Sequence, residues 1–257
     1  MPGVLLRVAY DGSRFRGWSR QAGHRTVEET LHRGLVKIDD HVSIPRGMSR
    51  TDSGVHATAQ MVGFDARHDI PPRGWVLSVN AHLPDDLAIR EARIVTPGFD
   101  PRYASTRKRY RYRLLLDRVR DPMRAPFTWR VGGSLDLDLM KREAAVLEGT
   151  HDFASFRAAA DLRAVTVRTL TRVELSRSGD DELHVVVEGS AFLYNMVRII
   201  VGTLVDIGLG HRGEGTMARA LIECDRTVSG TTAPASGLCL EHAELNLPPE
   251  SSEPWPL

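Results

Sequence analysis

The chain has 257 residues, enough for one large domain or two small ones around a sizeable core. With 42% hydrophobic and 26% charged residues, it is neither a fibre nor a disordered chain, and a folded α/β protein is predicted. The formal net charge of +1 carries no global basic signature, so any nucleic-acid footprint has to be local.

Val4 to Tyr10 alternates as a strand, with Val4, Leu6, Val8 and Tyr10 on one face, and Asp11-Gly12-Ser13 ends it in a turn. Phe15 to Gln21 mixes aromatic and basic residues, which suits RNA stacking and phosphate contact and equally suits a surface loop pinned by Phe15 and Trp18. Thr26-Val27-Glu28-Glu29 reads as a capping box, opening a helix to about Asp39 with Val27, Leu31, Leu35 and Ile38 as its apolar stripe. Val42 to Arg46 reads as a short strand, and extended structure resumes from Ala59 to Phe64.

Between these strands lies Arg50-Thr51-Asp52-Ser53-Gly54-Val55-His56-Ala57, a turn-like stretch holding a base, an acid and an imidazole. Asp-Ser-Gly is a good turn sequence in its own right. A carboxylate held between two strands is also rigidly supported, and can act as base or nucleophile, so Asp52 is the candidate catalytic group. If the segment runs extended, Arg50 leaves the same face as Asp52.

Pro71-Pro72 breaks the chain, the spacing predicts a short helix over 75–81, and Leu87 to Val95 reads as a strand. From Arg107 onward, period 2 puts Tyr110, Tyr112, Leu114 and Leu116 on one face and Arg107, Arg109, Arg111 and Arg113 on the other. The arginines read either as a solvated face or as a grip on RNA. Tyr110, near the strand's start, is the tyrosine better placed to reach a cleft. A helix follows over 136–147, then an aromatic loop from His151 to Arg157, a mixed and mobile stretch over 160–166, and a hairpin of 169–177 with 182–188.

Phe192 to about Gly208 reads as the most apolar helix, with Asn195 and Arg198 on one face. Breaking a buried ion pair costs about 3–5 kcal/mol, so Arg198 is expected to have an acidic partner unless it snorkels to solvent. A helix over 214–224, a polar loop over 230–237 and a strand over 238–245 complete the plan, and a Pro-, Ser- and Glu-rich tail follows. Expected boundaries are an N-terminal half (1–105), a C-terminal half (106–247) and a flexible tail (248–257).

Cys224 and Cys239 form no CxxC pair, the histidines show no metal-binding spacing, and no metal site is expected. The start, Met1-Pro2-Gly3-Val4, lacks the pattern of a signal peptide, and Asn195, Arg198 and Asp206 interrupt the most apolar run. A cytoplasmic protein without membrane contact is the expectation.

Taken together, several motifs resemble the TruA-type tRNA pseudouridine synthases. They are Tyr10-Asp11-Gly12-Ser13 with Gly17-Trp18, Arg50 to Ala57, Arg109-Tyr110-Arg111-Tyr112, Asp152-Phe153 with Ser155-Phe156, Met196-Val197-Arg198 with Ile200-Val201-Gly202, and Thr232-Ala233-Pro234 with Gly237-Leu238. They stand in the family's order and span nearly the whole chain. The resemblance implies an α+β fold: two similar α/β halves forming a mixed, mainly antiparallel sheet with helices on one side and a central basic cleft. It implies a homodimer, tRNA as partner, no cofactor, and isomerisation of uridine to pseudouridine in the anticodon stem-loop. Asp52 then matches the catalytic nucleophile, Tyr110 the tyrosine that packs on the target base, and Arg50 and Arg198 basic residues near the aspartate. Ser49, Ser53, Ser19 and Cys239 depart from the family's usual residues without removing a reacting group. The alternatives are a catalytically silent tRNA-binding protein or RNA chaperone of the same fold, and a nucleoside or glycoside hydrolase, for which no second carboxylate is evident.

Overall fold

The computed structural model describes residues 1–256. In chain order the strands are β1 (Gly3–Tyr10), β2 (Arg46–Gly47), β3 (His56–Asp65), β4 (Leu87–Val95), β5 (Ser105–Leu115), β6 (Trp129–Arg130), β7 (Gly149–Asp152), β8 (Val167–Ser178), β9 (Glu182–Gly189), β10 (Leu238–Leu245) and β11 (Trp255–Pro256). The helices are α1 (Val27–Val36), α2 (Pro72–Asn80), α3 (Pro101–Ala104), α4 (Leu137–Ala145), α5 (Met196–Gly208) and α6 (Thr216–Glu223). The fold is α+β. Among the described residues no helix is long and apolar enough to cross a membrane.

The chain forms two compact units, one of residues 1–106 with 240–257 and the other of residues 107–239. In the first, the strand order is β11-β4-β1-β3-β10, and β2 adds to β3. β1 is antiparallel to both β3 and β4. Its alternating Val4, Leu6 and Val8 are fully buried, and Leu5 is buried as well, so the strand is covered on both faces at its start. Phe64 meets Trp75 of α2 edge to face at 5.1 Å between centroids, joining sheet and helix into one core.

The capping box does not form. The Thr26 side chain makes no cap hydrogen bond; the Val27 and Glu28 amides instead donate to the carbonyls of Gly17 and Trp18. The first turn of α1 is thus satisfied by a neighbouring loop. The last segment is paired to the first unit. β10 returns its residues from 240 onward to the first unit, and residues 252–256 lie along β4: the Ser252 amide donates to Ile94 O, Ser252 Oγ accepts from the Ile94 amide, and Trp255 pairs with Ala92.

Asp39, just past α1, is almost fully buried. Its carboxylate accepts from the amides of His41, Arg67 and His68 at 3.0, 2.7 and 3.0 Å. Burial pushes the carboxyl up, but the three amides and the His68 charge outweigh it and hold it below the usual carboxylate range. A group depressed on folding stabilises above its unfolded pKa, near roughly 4, and that stability is lost as pH falls through the folded value. Asp39→Asn is therefore expected to cost about 1–3 kcal/mol at pH 7. The gap from wild type should narrow as pH drops below about 4 in urea unfolding curves. Asp40 and His68 bring ligand atoms within 4.8 Å of Asp39, but amides already occupy both Asp39 oxygens, which makes the cluster a loop lock.

In the second unit the strand order is β5-β9-β8-β7, antiparallel throughout, and β6 joins β5 in parallel. Met140, Ala144, Phe153, Phe156, Val185, Val187, Ile200 and Leu204 fill its core. The predicted β8–β9 hairpin forms. α5 begins at Met196, four residues later than the apolar pattern suggests, because Asn195 adopts the left-handed conformation (φ 60°, ψ 6°) and ends the approach to the helix.

Candidate active site

In the first unit, Asp52 sits half-buried on a tight turn between β2 and β3. The Val55 amide donates to Asp52 O at 3.1 Å, and Gly54 takes the positive φ of 81° that the turn requires. Thr51 is turned inward, with its hydroxyl 2.7 Å from Tyr10 Oη, while Arg50 before it is exposed. Gln60 on β3 holds the base of the turn through both its amide atoms, accepting from Ser49 N and donating to Ser49 O.

The loop after β1 clamps this turn from above. The Trp18 amide donates to Thr51 O at 3.0 Å, the Gly54 amide to Phe15 O at 3.2 Å, and the Gly12 amide to His56 Nδ1 at 3.0 Å. That last bond makes Nδ1 an acceptor, so the 3.2 Å approach of Asp11 Oδ1 to the same nitrogen is not an ion pair. The approach is closed to larger residues. A Cβ on Gly12 would lie 2.1 Å from Val55 O, and one on Gly47 would lie 2.3 Å from the Trp18 indole. Phe15 and Trp18 are each 2% exposed, with the Arg25 guanidinium 4.1 Å over the Phe15 ring and ion-paired to Asp86. Of the two readings of this loop, the pinned one is correct for its aromatics, whose faces are spent on the clamp. Tyr10→Phe removes one bond from the turn and is expected to cost about 1–2 kcal/mol of stability. Its turnover should drop several-fold at temperatures where the variant is folded, as thermal unfolding and rate measurements would show.

In the second unit, Tyr110 of β5 lies opposite Val187 of β9, is 8% exposed, and makes a T-shaped contact with Phe192 at 5.0 Å and 80°. Tyr112 is fully buried and donates its hydroxyl to Pro234 O at 2.6 Å. Burial pushes the Tyr112 phenol far above its usual value, against the pull of the Arg198 charge. Arg198, in the first turn of α5, donates from Nε to Ala233 O and from Nη1 to Asn195 Oδ1, each at 2.8 Å. The Ala233 amide returns a bond to Arg198 O at 3.1 Å. Helix and loop come this close because residue 202 is glycine: a Cβ there would lie 1.9 Å from Thr231 O.

Three arginines of the β5 face, Arg107, Arg109 and Arg113, approach carboxylates. Glu188, 3% exposed, stands cross-strand from Arg109 on one side and Arg172 on the other. Arg109 Nε lies 2.5 Å from it, and Arg107 and Arg172 lie at 3.5 and 3.8 Å. Arg113 approaches Glu182 at 3.9 Å, where Arg124 is already paired at 2.8 Å.

Residues 7–104 and 144–246 match the family model described as tRNA pseudouridine synthase. The tRNA pseudouridine synthase A of Shouchella clausii is 40% identical over 249 residues, covering 96% of this chain and 95% of that protein. Its counterpart in Halalkalibacterium halodurans is 44% identical over 239 residues, covering 93% and 90%, and that of a Geobacter species is 41% identical over 241 residues, covering 93% and 97%.

The chain belongs to the tRNA pseudouridine synthase family.

As a tRNA pseudouridine synthase it is an isomerase. The matched ranges include Arg50, Asp52 and Arg198; Tyr110 falls between them. Sequence reasoning singled out these four and put Asn195 on the face of Arg198, but missed Phe192, which packs on Tyr110. An asparagine breaking an apolar run just before its arginine is the signal that marks position 195.

Proposed function

We propose that this tRNA pseudouridine synthase isomerises uridines in the anticodon arm of tRNA, with Asp52 as nucleophile. The observation that carries the reaction itself, though not its position or nucleophile, is the match to named tRNA pseudouridine synthases over 93–96% of the chain at about 40% identity. The clamped turn supports the role of Asp52, since it presents a carboxylate on a backbone fixed by three hydrogen bonds, two exchanged with the loop before it and one within the turn. Tyr110 supplies a planar face for the target uracil, and Arg50 and Arg198 are the basic partners of the site.

The reaction needs no atom from outside. The C1′–N1 bond breaks, the uracil turns, C1′ bonds to C5, and the C5 proton is lost as N1 regains one. The uracil has to leave the stack first, at a cost of a few kcal/mol, and a tyrosine face suits that task. A carboxylate can add to the base or to the sugar, and can accept the C5 proton at the end. A neighbouring arginine keeps such a carboxylate ionised. The enzyme works in the cytoplasm as a homodimer, without metal or cofactor.

Pseudouridine mapping tests the reading. Purified protein is incubated with unmodified tRNA bearing uridines in the anticodon arm, with no metal or nucleotide added. New pseudouridine confined to that arm is expected. Product elsewhere in the tRNA would overturn the positional assignment, and tight binding without product on a panel of tRNAs would favour a silent RNA-binding protein.

A further inference from the structure

Residues 160–166 look mixed and mobile in sequence, yet one side chain among them is deeply held. Asp161 has a carboxylate only 3% exposed, although Leu162 beside it is 92% exposed. Asp161 Oδ2 accepts from the Tyr194 amide at 2.9 Å, and Oδ1 accepts from the Arg163 amide at 3.2 Å. Two further bonds flank this one. The Ala158 amide donates to Tyr194 O at 2.9 Å, and Arg163 Nη1 donates to Phe192 O at 3.0 Å. Burial pushes the Asp161 carboxyl up, but the two amides and the nearby Arg163 and Arg157 charges hold it below the usual range, so it is ionised at neutral pH.

These three bonds clip residues 158–163 onto residues 192–194, a segment that belongs to neither β9 nor α5. No ladder or helix fixes that segment; the clip does, together with the burial of Leu193 and the bond from the Met196 amide to Leu193 O. Phe192, at one end, forms the wall against which Tyr110 rests. Asn195, just past the other end, holds the Arg198 guanidinium from a left-handed backbone. A short backbone run thus sets the placement of two groups of the proposed site.

We propose that Asp161 is a positioning residue, a latch that fixes residues 192–195 and through them the orientation of Tyr110 and Arg198. It touches neither the uracil nor the reacting carboxylate. The proposal rests on the assignment of Tyr110 and Arg198 to the site, and the experiment separates the two.

Wild type, Asp161→Ala, Asp161→Asn and Arg163→Leu are compared as full-length proteins on one unmodified tRNA. Single-turnover rates are measured with enzyme in excess, beside tRNA binding, thermal unfolding and amide hydrogen exchange over 192–198. The saturating rate of Asp161→Ala is expected to fall about 10- to 100-fold, because small misplacements of reacting groups are costly. Its Kd for tRNA should move less than about three-fold. Asp161→Asn keeps a carbonyl acceptor for the Tyr194 amide and should recover most of the rate. Arg163→Leu, which deletes the bond to Phe192 O, should lower the rate several-fold. A saturating rate equal to that of wild type in folded Asp161→Ala overturns the latch, as does a loss expressed only in Kd. If Asp161→Ala does not fold, an unchanged saturating rate in Arg163→Leu overturns it instead. If wild type itself forms no product, the functional reading fails while hydrogen exchange still judges the latch. Faster exchange over 192–198 in the variants is expected, and unchanged protection overturns it.

Discussion

Asp52→Asn is expected to lower pseudouridine formation by about 10³-fold or more while tRNA still binds. The substitution keeps the size of the side chain and leaves the turn's backbone bonds in place: Val55 N to Asp52 O, Gly54 N to Phe15 O, and Trp18 N to Thr51 O. What it removes is the anionic oxygen. An amide can neither form the covalent adduct nor accept the C5 proton at neutral pH. Nucleoside analysis by liquid chromatography gives the rate, and filter binding gives the affinity. A variant that turns over within about ten-fold of wild type would remove Asp52 from the chemistry.

Gly202→Ala should strike stability and turnover together. The added Cβ would meet the Thr231 carbonyl at 1.9 Å, and a backbone atom cannot swing aside as a side-chain tip can. Overpacking of this kind costs about 1–3 kcal/mol. The strain lands where Arg198 and Ala233 exchange two hydrogen bonds, so relief by separating helix and loop displaces the guanidinium. The rate should fall further than the loss of folded protein explains, at a temperature where unfolding curves show the variant native. Gly208→Ala is the control on the same helix. Its nearest obstacles are the side chains of Met140 and Leu135, which can yield, so a smaller loss of stability and near-normal turnover are expected. Equal turnover losses in the two variants would argue against a special role for the contact of α5 with the 231–233 loop.

Much of the fold was legible because it is written in local alternation. β1, β4 and β10 have the apolar spacing and flanking turn residues that define a strand, and their extents agree closely with the pattern. The turn carrying Asp52 was legible as a short polar run, although the strand before it is only Arg46–Gly47 and not the expected Val42–Arg46. What escaped was set by partners distant in sequence. Thr26 looks like a cap, but the carbonyls of Gly17 and Trp18 reach the helix first. Phe15 and Trp18 look available for stacking until the turn they cover is known. The start of α5 was misplaced because periodicity sees Phe192 as one more apolar residue, whereas the fold sends it to Tyr110. Asp161 gave no signal at all, since its role depends on a segment more than thirty positions away.

The strand that looks most like an RNA grip in sequence is one whose charge the fold offsets in part. Glu188 takes its ion pairs from β5 on one side and β8 on the other, so guanidiniums that would otherwise repel one another share one buried counter-charge. An uncompensated row of cations would attract any polyanion by counterion release, whatever its sequence or shape. Placing the carboxylate beneath them weakens the long-range field of that face while keeping the arginines ordered. The arginines serve as cross-strand braces of the sheet.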